Sequence, residues 1–160
     1  MGPLSIKLEG VFSFKLKVFL IFLMGRILAI DYGMKRIGLA VTDPTRITSG
    51  ILPFQQQSKF KQWLASYFEK EEVDIIVIGY PVHRDGKATN LTIDIDLLIN
   101  YIKKIRNQIK IVKLEESFST KEAMDLMINK GLSKKKRREE GLLDSYSALI
   151  ILEDHLRNKK

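Results

Sequence analysis

Three acidic residues stand where a folding chain gains little from a charge. Asp31 ends the apolar run Ile27-Leu28-Ala29-Ile30 and is followed by Tyr32-Gly33-Met34-Lys35-Arg36 and a second apolar run, Ile37-Gly38-Leu39-Ala40-Val41. An ionised carboxylate at the end of a buried strand is costly unless something compensates it, which makes Asp31 a candidate functional group. Glu116 closes the run Ile111-Val112-Lys113-Leu114-Glu115-Glu116. Period-two alternation groups Glu116 with Val112 and Leu114, and Glu115 with Ile111 and Lys113, so Glu116 is the acid expected to be buried. Asp144 lies in Gly141-Leu142-Leu143-Asp144-Ser145-Tyr146-Ser147-Ala148. On a helix it shares a stripe with Ala148, Ile151 and Leu152, so it is expected inside that helix, facing the core rather than capping it.

Three carboxylates gathered in one place repel one another, and their pKa values rise unless cations intervene. Magnesium or manganese resolves this, because such hard ions take oxygen ligands and bridge carboxylates to phosphate oxygens. Two of them about 3.5–4 Å apart can clamp the attacking water and the leaving oxygen of an in-line phosphodiester displacement. Bases lie beside the acids. Lys35 and Arg36 form the turn after Asp31, and Lys134-Lys135-Lys136-Arg137-Arg138 precedes the Asp144 segment. Both groups can hold backbone phosphates, a contact that is independent of base sequence and sensitive to salt. A basic run alone is usually a solvated loop; beside an acidic centre it gains meaning.

The composition agrees. The 160 residues carry a formal net charge of +8, which suits a polyanionic partner, nucleic acid above all. With no cysteine, disulfide scaffolds, thiolate metal sites and cysteine nucleophiles are excluded. The length suits one domain with a real core. The apolar run from Val18 to Met24, preceded by Lys15 and Lys17, is too short to span a bilayer and lacks a small-residue cleavage site, so no membrane role is expected. Residues 1–24 are expected to be an appendage outside the fold, with Met24 as the functional start, and residues 25–160 to form the domain.

The elements that must position these groups read as follows. Residues 26–32 and 36–42 are two strands joined by a short turn, hence antiparallel. Residues 47–54 predict a third strand, at the sheet edge because Pro53 cannot donate to a ladder. Phe60, Trp63, Leu64, Tyr67 and Phe68 give residues 58–71 the spacing of an amphipathic helix, with Trp63 in the core rather than serving as a base-stacking platform. Residues 74–79 form a continuous apolar run, as in a central parallel strand covered on both faces. After a loop at 81–89, Asn90 can cap a helix carrying Leu91, Ile95, Leu98, Ile99 and Ile102. Residues 109–116 predict a strand. Ser119-Thr120-Lys121-Glu122 fits a capping box for a helix stopped by Gly131, and a last helix is expected over 139–156. His83 is expected on the surface, and His155 near a helix end, where it suits the dipole. The order β-β-β-α-β-α-β-α-α predicts a mixed sheet with helices on both faces.

Ile30-Asp31-Tyr32-Gly33 with Arg36-Ile37-Gly38-Leu39-Ala40, Gly79-Tyr80-Pro81 with Asp85-Gly86, Glu115-Glu116-Ser117-Phe118-Ser119-Thr120-Lys121-Glu122-Ala123 and Asp144-Ser145-Tyr146-Ser147-Ala148 occur in the order seen in the YqgF family. The chain resembles that pre-16S rRNA nuclease family, formerly described as Holliday-junction-resolvase-like, over about residues 24 to 156. The resemblance implies an α/β, ribonuclease-H-like fold with a five-stranded mixed sheet in the order 3-2-1-4-5. It implies that Asp31, Glu116 and Asp144 are a catalytic and metal-binding triad, and that the protein is a cytoplasmic nuclease trimming the 5′ end of the 16S rRNA precursor. Ser119 and Thr120 join Lys35, Arg36 and the 134–138 run as candidate nucleic-acid contacts. The sequence departs from the family at one place: Asp-Glu-Arg is replaced by Glu115-Glu116-Ser117, and a serine cannot supply an arginine's fixed phosphate fork. Three alternatives stand beside this reading. A DNA-junction resolvase would use the same chemistry, and a non-catalytic nucleic-acid-binding module would not need all three acids. A phosphotransferase of the actin and sugar-kinase type needs a second lobe that this length does not provide. The sequence is compatible with a monomer or a homodimer.

Overall fold

The two apolar runs that flank Gly33 pair as an antiparallel hairpin, β1 (Arg26–Tyr32) and β2 (Arg36–Thr42), with Asp31 opposite Gly38. The turn is closed by the Gly33 N–H donating to the Arg36 carbonyl at 3.1 Å. The protein was analysed as a computed structural model, in which residues 13–16, 18–19, 24–81, 89–115 and 120–158 are described. The chain continues through β3 (Ser49–Gln56), a 3-10 turn (Gln57–Lys59), α1 (Phe60–Lys70), β4 (Val73–Gly79), α2 (Asn90–Ile105) and β5 (Lys110–Leu114). Then come α3 (Thr120–Asn129), a second 3-10 turn (Lys136–Arg138) and α4 (Leu142–Arg157). The sheet order is β3-β2-β1-β4-β5, as the family resemblance implies. β1 is antiparallel to β2 and β2 to β3, while β1–β4 and β4–β5 are parallel.

Alternation along the strands sorts their side chains into two layers. Leu28, Ile30, Ile37, Leu39, Ile76 and Ile78 face α1 and α2, which supply Phe60, Leu64, Phe68, Ile95, Leu98 and Ile102. Ile27, Ala29, Ala40, Ile75 and Val77 face α3 and α4, which supply Ala123, Met127, Ala148, Leu149, Ile151 and Leu152. β4 is covered on both sides, which explains its unbroken apolar run. Trp63 packs partly buried against the first layer, stacked between Phe60 and Tyr67 with ring centroids 5.7 and 4.9 Å away.

Several boundaries differ from expectation, each for a local reason. β3 begins at Ser49 rather than 47, because Asp43 accepts the backbone N–H groups of Ile47 at 2.9 Å and Thr48 at 2.7 Å and folds them into a turn. The hydrogen bond from the Thr45 hydroxyl, and after it the one from the Thr48 N–H, hold the Asp43 carboxyl down at about 2. Thr89, not Asn90, caps α2: Thr89 and Thr92 exchange side-chain and backbone hydrogen bonds in a reciprocal capping box. Ser119 lies outside the described residues, as do His83 and the Asp85-Gly86 pair. α4 starts at Leu142, three residues later than expected, after Gly141 takes the left-handed conformation at φ +70°. His155 is buried in its last turn, 6% exposed. Among the described residues no helix is long and apolar enough to cross a membrane.

β3 is an edge strand, as Pro53 demands, and it also carries a bulge. Ile37 pairs with Gln55 and Leu39 with Leu52, so Pro53 and Phe54 together oppose the single residue Gly38. On its α4 side, Gly38 is covered by backbone. A Cβ built there would lie inside the contact radius of the Asp144 carbonyl and 2.9 Å from the Ser145 nitrogen. Gly38→Ala is therefore expected to lower stability by about 2–3 kcal/mol, since main chain rather than a flexible side chain must move. The measurement is the midpoint of denaturant unfolding. An unchanged midpoint would show that α4 is not fixed against β2.

Candidate functional site

Asp31 follows Ile27 and Ala29 along the α4 side of β1, at the end where the apolar layer gives way to solvent. Its neighbour across the hairpin is Gly38, and over Gly38 lies the first turn of α4. Asp144 is the third residue of that helix. Two strand ends and a helix start thus bring the first and third predicted acids together. The contact is pinned on three sides. The buried Ser145 hydroxyl donates to the Leu52 carbonyl at 2.8 Å, Gly141 lies against the Phe54 ring, and Arg36 reaches from β2 to the Asp144 carboxylate.

Because α4 begins at Leu142, Asp144 is in the first turn and not in the helix interior. Its side chain is 31% exposed, at the core's rim rather than within it. That location favours a negative charge, since the first-turn N–H groups and the helix dipole both face it. Arg36 adds a second source of compensation, with its Nε 2.8 Å from Asp144 and an Nη 3.3 Å from Glu140. Asp31 lacks comparable help. Burial, with the negative charge of Asp144 as a smaller cause, pushes its carboxyl from the usual 3.8 up to about 6.

Val112 and Leu114 on β5 pack into the layer below Asp31, in keeping with the alternation that groups Glu116 with them. Glu116 itself, like Ser117 and Ser119, lies outside the described residues. Among the described residues no cluster of three potential metal ligands occurs. The pair that is described suits a hard divalent cation: two carboxylates, one of them short of compensating charge, with oxygen donors and no sulfur or imidazole.

The predicted phosphate contacts are placed as follows. Lys35 is exposed at the hairpin turn, while Arg36 is engaged by Asp144 and Glu140. Thr120 is exposed at the start of α3. Lys134, Lys135, Lys136 and Arg138 are exposed in the segment leading to α4; Lys136 pairs with Glu139 at 2.6 Å. Arg137 is half-buried and donates to the Leu132 carbonyl at 2.7 Å, so part of its role is to fold that segment. Two participants escaped the sequence reading. Glu140, four residues before Asp144, carries no sequence signal that would pair it with Arg36. Gly38 carried a usable signal, since a glycine inside a strand marks close backbone approach.

The chain matches the family model RuvX, described as Holliday junction resolvase, over residues 25–158. A protein of Flavobacterium johnsoniae named "Putative pre-16S rRNA nuclease" is 37% identical over 137 residues, covering 86% of this chain and 99% of its own. One of the same name from Chlorobium chlorochromatii is 36% identical over 135 residues, covering 84% and 96%. Among solved structures, the Fowlpox virus resolvase in complex with Holliday junction DNA superposes with a TM-score of 0.55 at 15% identity, over 84% of this chain and 98% of the other. Thermus thermophilus RuvC with a Holliday junction substrate gives a TM-score of 0.52 at 12% identity, over 84% and 95%. At these identities the two structures speak to the fold alone.

The acid pair predicts a pH signature. Folded Asp31 binds its proton more tightly than the unfolded chain does. The stability it confers is thus complete below about pH 3.8 and is lost as pH rises through about 6. Above that range the ionised group costs roughly 3 kcal/mol relative to a neutral one. Asp31→Asn is therefore expected to raise the unfolding free energy at pH 8 by up to ~3 kcal/mol and by almost nothing at pH 4. Denaturant unfolding in chelator at the two pH values measures this. An equal effect at both would remove burial of the carboxylate as the cause.

Proposed function

This chain belongs to the RuvX family, and from that premise we propose that it is a metal-dependent phosphodiester hydrolase that processes the 5′ end of the 16S rRNA precursor in the cytoplasm. One observation supports the chemistry above all: a partly buried carboxylate, Asp31, is held beside a second, Asp144, at the end of the sheet's central strand. The named relatives support the substrate, since they cover nearly their whole length with this chain.

Asp31 and Asp144, with Glu116 as the third member, are the residues that would hold magnesium or manganese. When bound, the cation supplies Lewis-acid stabilisation of the phosphate oxygens and a water nucleophile at neutral pH. The chain's own residues do the rest. Asp31 is immobilised by a strand paired on both sides, and Asp144 by a helix seated on backbone, so neither needs to reorganise during the reaction. Arg36 orients the Asp144 side chain through their 2.8 Å ion pair. Lys35 and the exposed cations of 134–138 draw in the substrate backbone, and Ser119 and Thr120 contribute polar contacts to it. With Ser117 where the family carries arginine, these lysines and arginines take over the positive charge of the missing fork.

A four-way DNA junction is the second reading. It is favoured by the description of the family model and by the resolvase fold. Both substrates present the same phosphodiester to the same acids, and shape and the 2′-hydroxyl distinguish them.

Wild-type protein is expected to cut a precursor-rRNA 5′ fragment in magnesium or manganese and not in chelator. Asp31→Asn and Asp144→Asn are each expected to lower the rate by at least ~100-fold while retaining the fold by circular dichroism. Cleavage of a junction alone, side by side with the RNA, would transfer the assignment to DNA. Replacing Lys134 to Arg138 with alanines is expected to weaken RNA binding and to flatten the plot of log affinity against log salt by roughly 2 to 4 units. An identical slope would make that segment a solvated surface.

A further inference from the structure

Beside the acid pair, on the β3 side, a groove of about 310 Å³ is lined by Met34, Lys35, Arg36, Phe54, Gln56, Gln57, Ser58 and Glu140. We propose that this groove is a subsite for one unpaired nucleotide of the substrate strand, next to the bond that is cut. The proposal rests on the nuclease reading and adds how the strand is held.

The walls are built before any ligand arrives. The Gln57 N–H donates to the Lys35 carbonyl at 3.0 Å and its Nε2 to the Tyr32 hydroxyl at 3.0 Å. Arg36 pairs with Gln56 across β2 and β3, and the Phe54 ring is set by the bulge against Gly141. The lining divides by chemistry. Arg36, paired with Asp144, marks the side nearest the acids, and the exposed Lys35 adds a cation to the lining that a phosphate can meet. Met34 stands at the turn 61% exposed, an apolar, polarisable side chain that no packing role explains. Gln56, Ser58 and Glu140 supply the donors and acceptors that a base edge or a sugar hydroxyl takes up, glutamate being suited to exocyclic amino groups. The volume lies at the small end of the range for small-molecule sites, room for one nucleoside and not two. Arg36 and Glu140 belong both to this groove and to the ion-pair cluster around Asp144, so an occupant is continuous with the strand passing the acids.

The test uses single-stranded RNA oligonucleotides of the precursor 5′ region, with 2-aminopurine at successive positions, bound to the Asp31→Asn protein in magnesium. One position is expected to change its fluorescence on binding while its neighbours do not. Met34→Ala and Gln56→Ala, both at exposed positions, are expected to weaken binding about tenfold. An abasic residue at the responsive position is expected to erase the difference between these variants and their parent. Fluorescence that responds nowhere, or a variant penalty that persists on the abasic strand, overturns the subsite. Cleavage by wild-type protein is scored separately. RNA seated in the groove but never cut in magnesium or manganese overturns the nuclease reading and retains the subsite. Cleavage without a responsive position does the reverse.

Discussion

The first turn of α4 lies directly on Gly38, and the rest of the centre depends on that contact. It sets the Asp144 backbone over β2 at the residue paired with Asp31. The two carboxylates repel, so their meeting is imposed by packing. The magnitudes permit it. Holding Asp31 ionised costs roughly 3 kcal/mol at neutral pH, whereas each buried Leu or Ile of the α4 stripe returns roughly 1.5–3 kcal/mol. Leu149, Ile151 and Leu152, all buried, together outweigh that cost, most of which is the desolvation of Asp31 and the smaller part the repulsion from Asp144. Charge is thus concentrated where the apolar layer ends, by the same helix that completes that layer.

Compensation is unequally shared between the two acids. Asp144 has a helix start and a guanidinium; Asp31 has a strand end and little else. An arrangement with both acids neutralised from within would have no use for an external cation. This one leaves a deficit at a single carboxylate, while Arg36, tied also to Glu140, moderates the other. The exposed cations of the 134–138 segment enter the chain only a few residues before α4, so this basic surface and the helix that carries Asp144 are covalently adjacent.

Much of this was legible in the chain. The hairpin could be read because two apolar runs flank a glycine-containing turn, and Asp31 stood out as the acid that ends the first of them. Trp63 was assigned to the core by spacing, and the edge position of β3 by one proline. The strand order came only with the family resemblance. Where the reading missed, two local signals competed or the answer was tertiary. Thr89 and Asn90 are both good caps, and the tie is broken by Thr92 three residues on. The start of α4 depended on Gly141, whose left-handed backbone ends one direction of chain and begins another; the sequence alone places the start at 139, three residues too early. The Arg36–Glu140 pair joins residues 104 positions apart, and no periodicity reports such a distance. For Glu116 the parity argument extends through Leu114, the last residue of β5.

The Pro53 bulge has a further consequence beyond aiming Phe54. An outermost strand is a template on which a second chain can zip, and a long, flat, apolar one invites fibres. Here the outward row is interrupted by a residue with no N–H to offer, and the Gln55 amide occupies the Pro53 carbonyl at 3.2 Å. The same irregularity that shapes the centre also makes the β3 rim a poorer template for a second chain.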